Sequence, residues 1–136
     1  MASIMQRRLI SKEDETDEVE VRREDQDKIN RFSRLHQRVL LLEEQLKTKS
    51  KEKEDLDDLS TELELADEDE KIPYKIGDAF FHISLEQAQE MLGSATSKID
   101  EETEVLEEKL GTIREDMTQL KVELYARFGK QINLET

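Results

Sequence analysis

Apolar residues recur along two stretches of this chain at steps of three and four. From about Glu24 to Ala66 there is no Gly or Pro. Phe32, Val39 and Leu46 take one seam position of a heptad, and Leu35, Leu42, Leu56 and Leu63 take the other. Lys49, Lys53 and Ser60 fall on the same seam as polar exceptions. Such spacing lines one helical face with apolar groups and needs a second helix to cover it. A helix of this length is about 65 Å long and too narrow to bury its own seam.

The second stretch supplies the partner. Ser84-Leu85-Glu86-Gln87 predicts a capping box, in which Gln87 returns a hydrogen bond to the cap residue. The helix should run to Phe128, with Gly129 as a left-handed stop. Its seam reads Leu85, Ala88, Leu92, Ala95, Ile99, then Thr103, Leu106, Leu110, Ile113, Met117, Leu120 and Leu124. Two helices of matched length with a short join predict an antiparallel pair. Two successive steps of four at Ala95-Ile99-Thr103 form a stutter, which locally unwinds a supercoil.

The join is the informative part. Asp67 to Glu70 is acidic and loop-like. Lys71-Ile-Pro-Tyr-Lys-Ile76 and Ala79-Phe-Phe-His-Ile83 flank the pair Gly77-Asp78. Two short β-branched and aromatic runs around Gly-Asp predict a hairpin. Pro73 confines the first strand to an edge or a strand start. The fold class is therefore mainly α: a long antiparallel two-helix coiled coil joined by a β-hairpin. The expected divisions are a disordered acidic tail over 1–22, helices over 23–66 and 84–128, an acidic loop and hairpin over 67–83, and a C-terminal tail over 129–136.

If Ala66 faces Leu85, Leu46 lies near Val105, Leu56 near Ala95 and Phe32 near Gln119. Lys47, Lys49, Lys51 and Lys53 then face Asp100, Glu101, Glu102 and Glu104. Two readings remain open: a charge match that fixes register, or solvated lysines whose stems lie along the seam. Gly93 and Gly111 sit inside the second helix, either admitting a close neighbour or simply tolerated, at about 1 kcal/mol each relative to Ala.

Composition suits this architecture. The chain has 136 residues, 35 acidic and 21 basic, for a net charge of -14; 41% are charged and 35% hydrophobic. That balance is poor for a globular core but is what two solvated arms with a narrow seam require. The absence of cysteine excludes disulfides, thiolate zinc sites and a catalytic thiol. No apolar run approaches the roughly 20 residues that span a membrane. The start, Met-Ala-Ser-Ile-Met-Gln-Arg-Arg, lacks the apolar stretch of a secretory signal. A pI near 4.6 argues against nucleic-acid partners. The expected compartment is the cytoplasm, with the nucleus as a second.

No catalytic, metal or cofactor motif is present. His36 falls beside the seam, and His82 should point outward from the hairpin. Carboxylates on a coiled coil are solvated, whereas acid–base catalysis needs a desolvated cleft. The expectation is a protein that is not an enzyme and uses no cofactor.

An isolated hairpin is marginally stable in water and presents two unpaired edges. Ile72, Pro73, Tyr74, Ile76, Gly77, Asp78, Phe80, Phe81 and Ile83 are therefore the candidate assembly residues, expected to join other hairpins in a larger sheet or barrel. The helical arms would project from that centre, with both termini at the arm tips.

Over residues 20 to 135 the chain resembles the β-type subunits of prefoldin. The likeness is carried by Glu24-Asp-Gln-Asp-Lys-Ile-Asn-Arg-Phe32, Leu65-Ala-Asp67, Ile72-Pro-Tyr-Lys-Ile-Gly-Asp-Ala-Phe80, Glu86-Gln-Ala-Gln-Glu-Met-Leu92, Leu124-Tyr-Ala-Arg-Phe-Gly129 and Ile132-Asn-Leu-Glu135. The resemblance implies a heterohexamer of two α-type and four β-type subunits on a double β-barrel with six tentacles. It also implies binding of unfolded actin and tubulin at the tips, and delivery to the CCT chaperonin without ATP. Ile29, Phe32, Leu35, Leu120, Leu124, Tyr125 and Phe128 are the candidate client-binding residues, exposed if the ends fray; equally, they could simply close the seam. Two alternatives remain: a structural subunit of another coiled-coil complex, and an acidic chaperone for basic proteins.

Overall fold

The computed structural model describes residues 19–76 and 79–134, with the backbone alone for Ile76 and Phe80. Helix α1 spans Arg23–Glu64, strand β1 Ile72–Ile76, strand β2 Ala79–Ile83 and helix α2 Leu85–Phe128; a 3-10 turn follows at Gly129–Gln131. The described residues fall into two compact units, one holding 19–43 and 108–134 and the other holding the described part of 44–107.

Local chemistry sets the helix ends. Arg22 is the cap of α1: its carbonyl accepts the first helical bond from the Gln26 amide. Asp25 reaches back and accepts from the Arg22 amide at 3.0 Å, so the acidic half of a capping box forms at this end. At the other end α1 tightens, with Leu65 and Ala66 amides bonding the Glu62 and Leu63 carbonyls. The helix thus closes at Glu64, two residues short of Ala66. Ser84 and Gln87 form both halves of the predicted box, at 3.2 and 3.1 Å. Gly129 adopts φ 57°, the left-handed stop that ends α2.

In the first unit α1 and α2 pack antiparallel. Ile29, Phe32, Val39, Leu42, Leu110, Ile113, Met117, Leu120, Leu124 and Phe128 are all buried there. Lys28–Glu123, Arg31–Asp116 and Glu43–Arg114 bridge the two helices at 3.3, 3.4 and 2.7 Å along the flanks.

The second unit holds the hairpin. Leu63, Leu85 and Ala88 are buried, with Ala66, Ile72, Ile83 and Leu92 packed against them. Away from this cluster the seam loosens: Leu46, Leu56, Ala95, Ile99 and Leu106 are only half-buried. An open cleft of about 590 Å³, lined by Gln45, Thr48, Lys49, Glu102, Val105 and Leu106, marks the gap. Polar seam residues and the stutter account for it, since neither lets apolar knobs interdigitate.

Of the 1–22 tail, residues 1–18 lie outside the described part. Its last residues depart from the expectation, because Val19 and Glu20 are hydrogen-bonded to the far end of the chain.

Candidate functional site

The hairpin pairs Ile72 with Ile83, Pro73 with His82, Tyr74 with Phe81, Lys75 with Phe80 and Ile76 with Ala79. Directly opposed residues share a face. Ile72, Tyr74, Phe81 and Ile83 are therefore on one side, and Pro73 and His82 on the other. Ile72 and Ile83 anchor the hairpin to the helical cluster. Further along the same face Phe81 is 50% exposed beside half-buried Tyr74. Pro73 and His82 are exposed. Gly77 and Asp78, and the side chains of Ile76 and Phe80, lie outside the described part.

Beside this face is an open apolar cleft of about 250 Å³, lined by Leu59, Leu63, Tyr74, Met91 and Leu92 among others. Leu59, Leu65 and Met91 are themselves exposed. They lie off the heptad seam, so a search for seam positions passes over them; their signal is apolar residues out of phase, near the hairpin. Among the described residues the sheet has two strands. The result is an apolar β surface of the kind that association buries.

The candidate tip residues sit together at the end of the first unit, but closed. Ile29, Phe32, Leu120, Leu124 and Phe128 are buried and Leu35 is half-buried. Tyr125 alone is exposed. The apolar tip expected from fraying is thus shut in this structure, because the chain's own terminal segments complete the packing. Gln131, Ile132 and Leu134 are buried. The Leu134 amide donates to the Tyr125 hydroxyl at 3.1 Å, the Val19 amide to Gln131 Oε1 at 3.2 Å, and Arg127 Nη2 to the Glu20 carbonyl at 2.8 Å. Arg127 also lies 5.3 Å from the Phe128 ring centroid and 2.8 Å from buried Asp25.

Burial pushes the Asp25 carboxyl up, but the Arg22 amide and the Arg127 guanidinium together outweigh it and hold the group below its ordinary value. These tip contacts escape a heptad search. The alternation Ile132-x-Leu134 after the Gly129 stop and the first-turn acid Asp25 are their local sequence signals.

The lysine cluster divides. Lys49 bridges Glu102, and Lys53 bridges Asp100, across the helices. Lys51 instead pairs with Asp55 on its own helix, and Lys47 is exposed. The hydrogen bond to Glu102 raises the Lys49 pKa, and the same bond lowers that of Glu102.

Among the described residues no group of three or more His, Cys, Asp or Glu side chains could hold a metal ion. No described helix is long and apolar enough to cross a membrane.

Two long helices joined by a hairpin with an exposed apolar face define a helix–hairpin–helix class of protein. The family model for prefoldin subunits matches residues 26–131. Prefoldin subunit 4 of Homo sapiens is 43% identical over 120 residues, covering 88% of this chain and 90% of the relative. Prefoldin subunit 4 of Saccharomyces cerevisiae is 43% identical over 112 residues, covering 82% and 87%. The crystal structure of the prefoldin beta subunit from Thermococcus strain KS-1 superposes with a TM-score of 0.74 at 14% identity, covering 79% of this chain and 94% of that one, a likeness of fold. The chain belongs to the prefoldin subunit family.

Proposed function

We propose that this prefoldin subunit works as a β-type chain in a cytoplasmic heterohexamer of two α-type and four β-type subunits. Its hairpin enters a β-barrel with neighbouring hairpins, and its arm tip captures unfolded actin and tubulin. The complex passes them to the CCT chaperonin, with no nucleotide bound by this chain. The observation that carries the reading is the placement of apolar residues outside the seam. They lie on the hairpin face around Phe81 and at the arm end around Tyr125 and Phe128. Several weak arms on one client hold it through effective concentration, so no single tip needs a deep pocket.

The test is reconstitution with its family partners. The native mass should match six chains. The complex should suppress aggregation of denatured actin without ATP, and the actin should transfer to added chaperonin. Removal of residues 19–35 and 118–134 should leave assembly of six chains intact and weaken suppression. Undiminished suppression would count against capture at this tip.

A further inference from the structure

The apolar arm end is occupied by the chain itself. Gly129 reverses the backbone, and Leu134, nine residues beyond Tyr125, returns to bond its hydroxyl. Ile132 is extended, with φ -117° and ψ 141°. Ile132 and Leu134 are buried while Asn133 between them is exposed. That is the pattern of a strand laid on an apolar surface, with alternate side chains turned in. The N-terminal segment is tied to the same place through Val19–Gln131 and Glu20–Arg127.

We infer that Val19–Arg22 and Gly129–Leu134 form a clasp over the arm end, and that Ile132-Asn133-Leu134 occupies a binding site for an extended polypeptide. The ligand class follows from what the clasp presents. It is an extended segment with aliphatic side chains at alternate positions and a backbone amide free to donate to the Tyr125 hydroxyl. An unfolded chain offers such segments often, whereas a folded one has buried them and paired their amides. The site would therefore select for unfoldedness by backbone as well as by side chain. A client enters by displacing the clasp, so the helices need not fray. The clasp is suited to displacement. It lies outside both long helices, so its local opening leaves their backbone ladders intact and is cheaper than unfolding of the arm.

This inference rests on capture at the tip, and its test separates the two. The full chain carrying Ile132→Ser and Leu134→Ser, assembled with its family partners, is compared with the unaltered complex. Hydrogen exchange at amides 124–128 should quicken at least tenfold, with amides 110–117 unchanged. A synthetic peptide of residues 129–136 added in trans should restore protection, and the same peptide with both serines should not. Denatured actin should bind the altered complex at least threefold more tightly, and the peptide should compete. Tyr125→Phe, which keeps the ring and removes only the acceptor, should move exchange in the same direction by a smaller factor. Unchanged exchange at 124–128, or protection by the serine peptide as well, overturns the clasp. Quickened exchange restored by the peptide, with actin binding unchanged, leaves the clasp standing and removes the reading of this tip as the capture site.

Discussion

Arg127 Nε stands 2.8 Å from Asp25 Oδ1, joining the last turn of α2 to the first turn of α1 around an almost fully buried carboxylate. The same carboxylate caps α1 through the Arg22 amide. Removing it therefore costs a cap and strands a partly buried guanidinium. Asp25→Ala should destabilise the chain by about 2–3 kcal/mol, between the loss of a cap and the breaking of a buried pair. Urea unfolding of the assembled and free chain measures this.

The pH dependence has a definite sign. The folded pKa of Asp25 is lowered from 3.8. Its contribution is therefore present above 3.8 and is lost as pH falls through the lower folded value. The stability gap between the natural chain and Asp25→Asn should be full near neutrality and close in strong acid. A gap that is constant with pH would show that the charge contributes nothing.

Much of the fold is legible in the sequence because it follows from periodicity. Seam steps, the Ser84–Gln87 box and the Gly129 stop are local, and each appears where its residues dictate. The site is less legible. Arg127 contacts Asp25, Glu20 and Phe128 at once, and only the first-turn acid among them has a local signature. Leu134 meets Tyr125 through a reversal after the helix, so a search for helical spacing passes over it. Side chains that act between distant segments leave no period to read.

Gly93 and Gly111 are tolerated rather than required. A Cβ at either would meet nothing within 4 Å. Gly93→Ala and Gly111→Ala should each stabilise the helix by about 1 kcal/mol, through lower backbone entropy in the unfolded chain. Gly129→Ala should destabilise by about 1 kcal/mol, since its φ of 57° suits no Cβ. Thermal melts of the three variants should therefore move in two directions. A loss of assembly in Gly93→Ala with its stability gained would reveal a neighbour at that face.

Lys49–Glu102 and Lys53–Asp100 cross between helices where the seam is half-buried, so charge reversal tests whether they set register. Reversing both lysines to glutamate should lower the melting temperature. Adding Glu102→Lys and Asp100→Lys should restore most of it, less completely in high salt. The raised Lys49 pKa gives an alkaline signature. Its contribution is present below 10.5 and is lost as pH rises through the higher folded value. Absence of any rescue by the second pair of changes would assign both bridges to solvated side chains with no part in register.

The hairpin face gives the strongest separation of folding from assembly. Ile72 and Ile83 hold the hairpin to the helices, whereas Phe81 remains half exposed on the same face. Phe81→Ser removes apolar area that contributes little within the isolated chain but would be buried between subunits. Helical content and the arm's hydrogen-exchange pattern should stay as they are. Incorporation into the complex should fall at least tenfold, read as native mass after mixing with the partner subunits. His82→Ser, on the opposite face and exposed, should assemble nearly as the natural chain does. If His82→Ser fails while Phe81→Ser assembles, the contact face of the hairpin is the other one, and Pro73 becomes the residue to alter next.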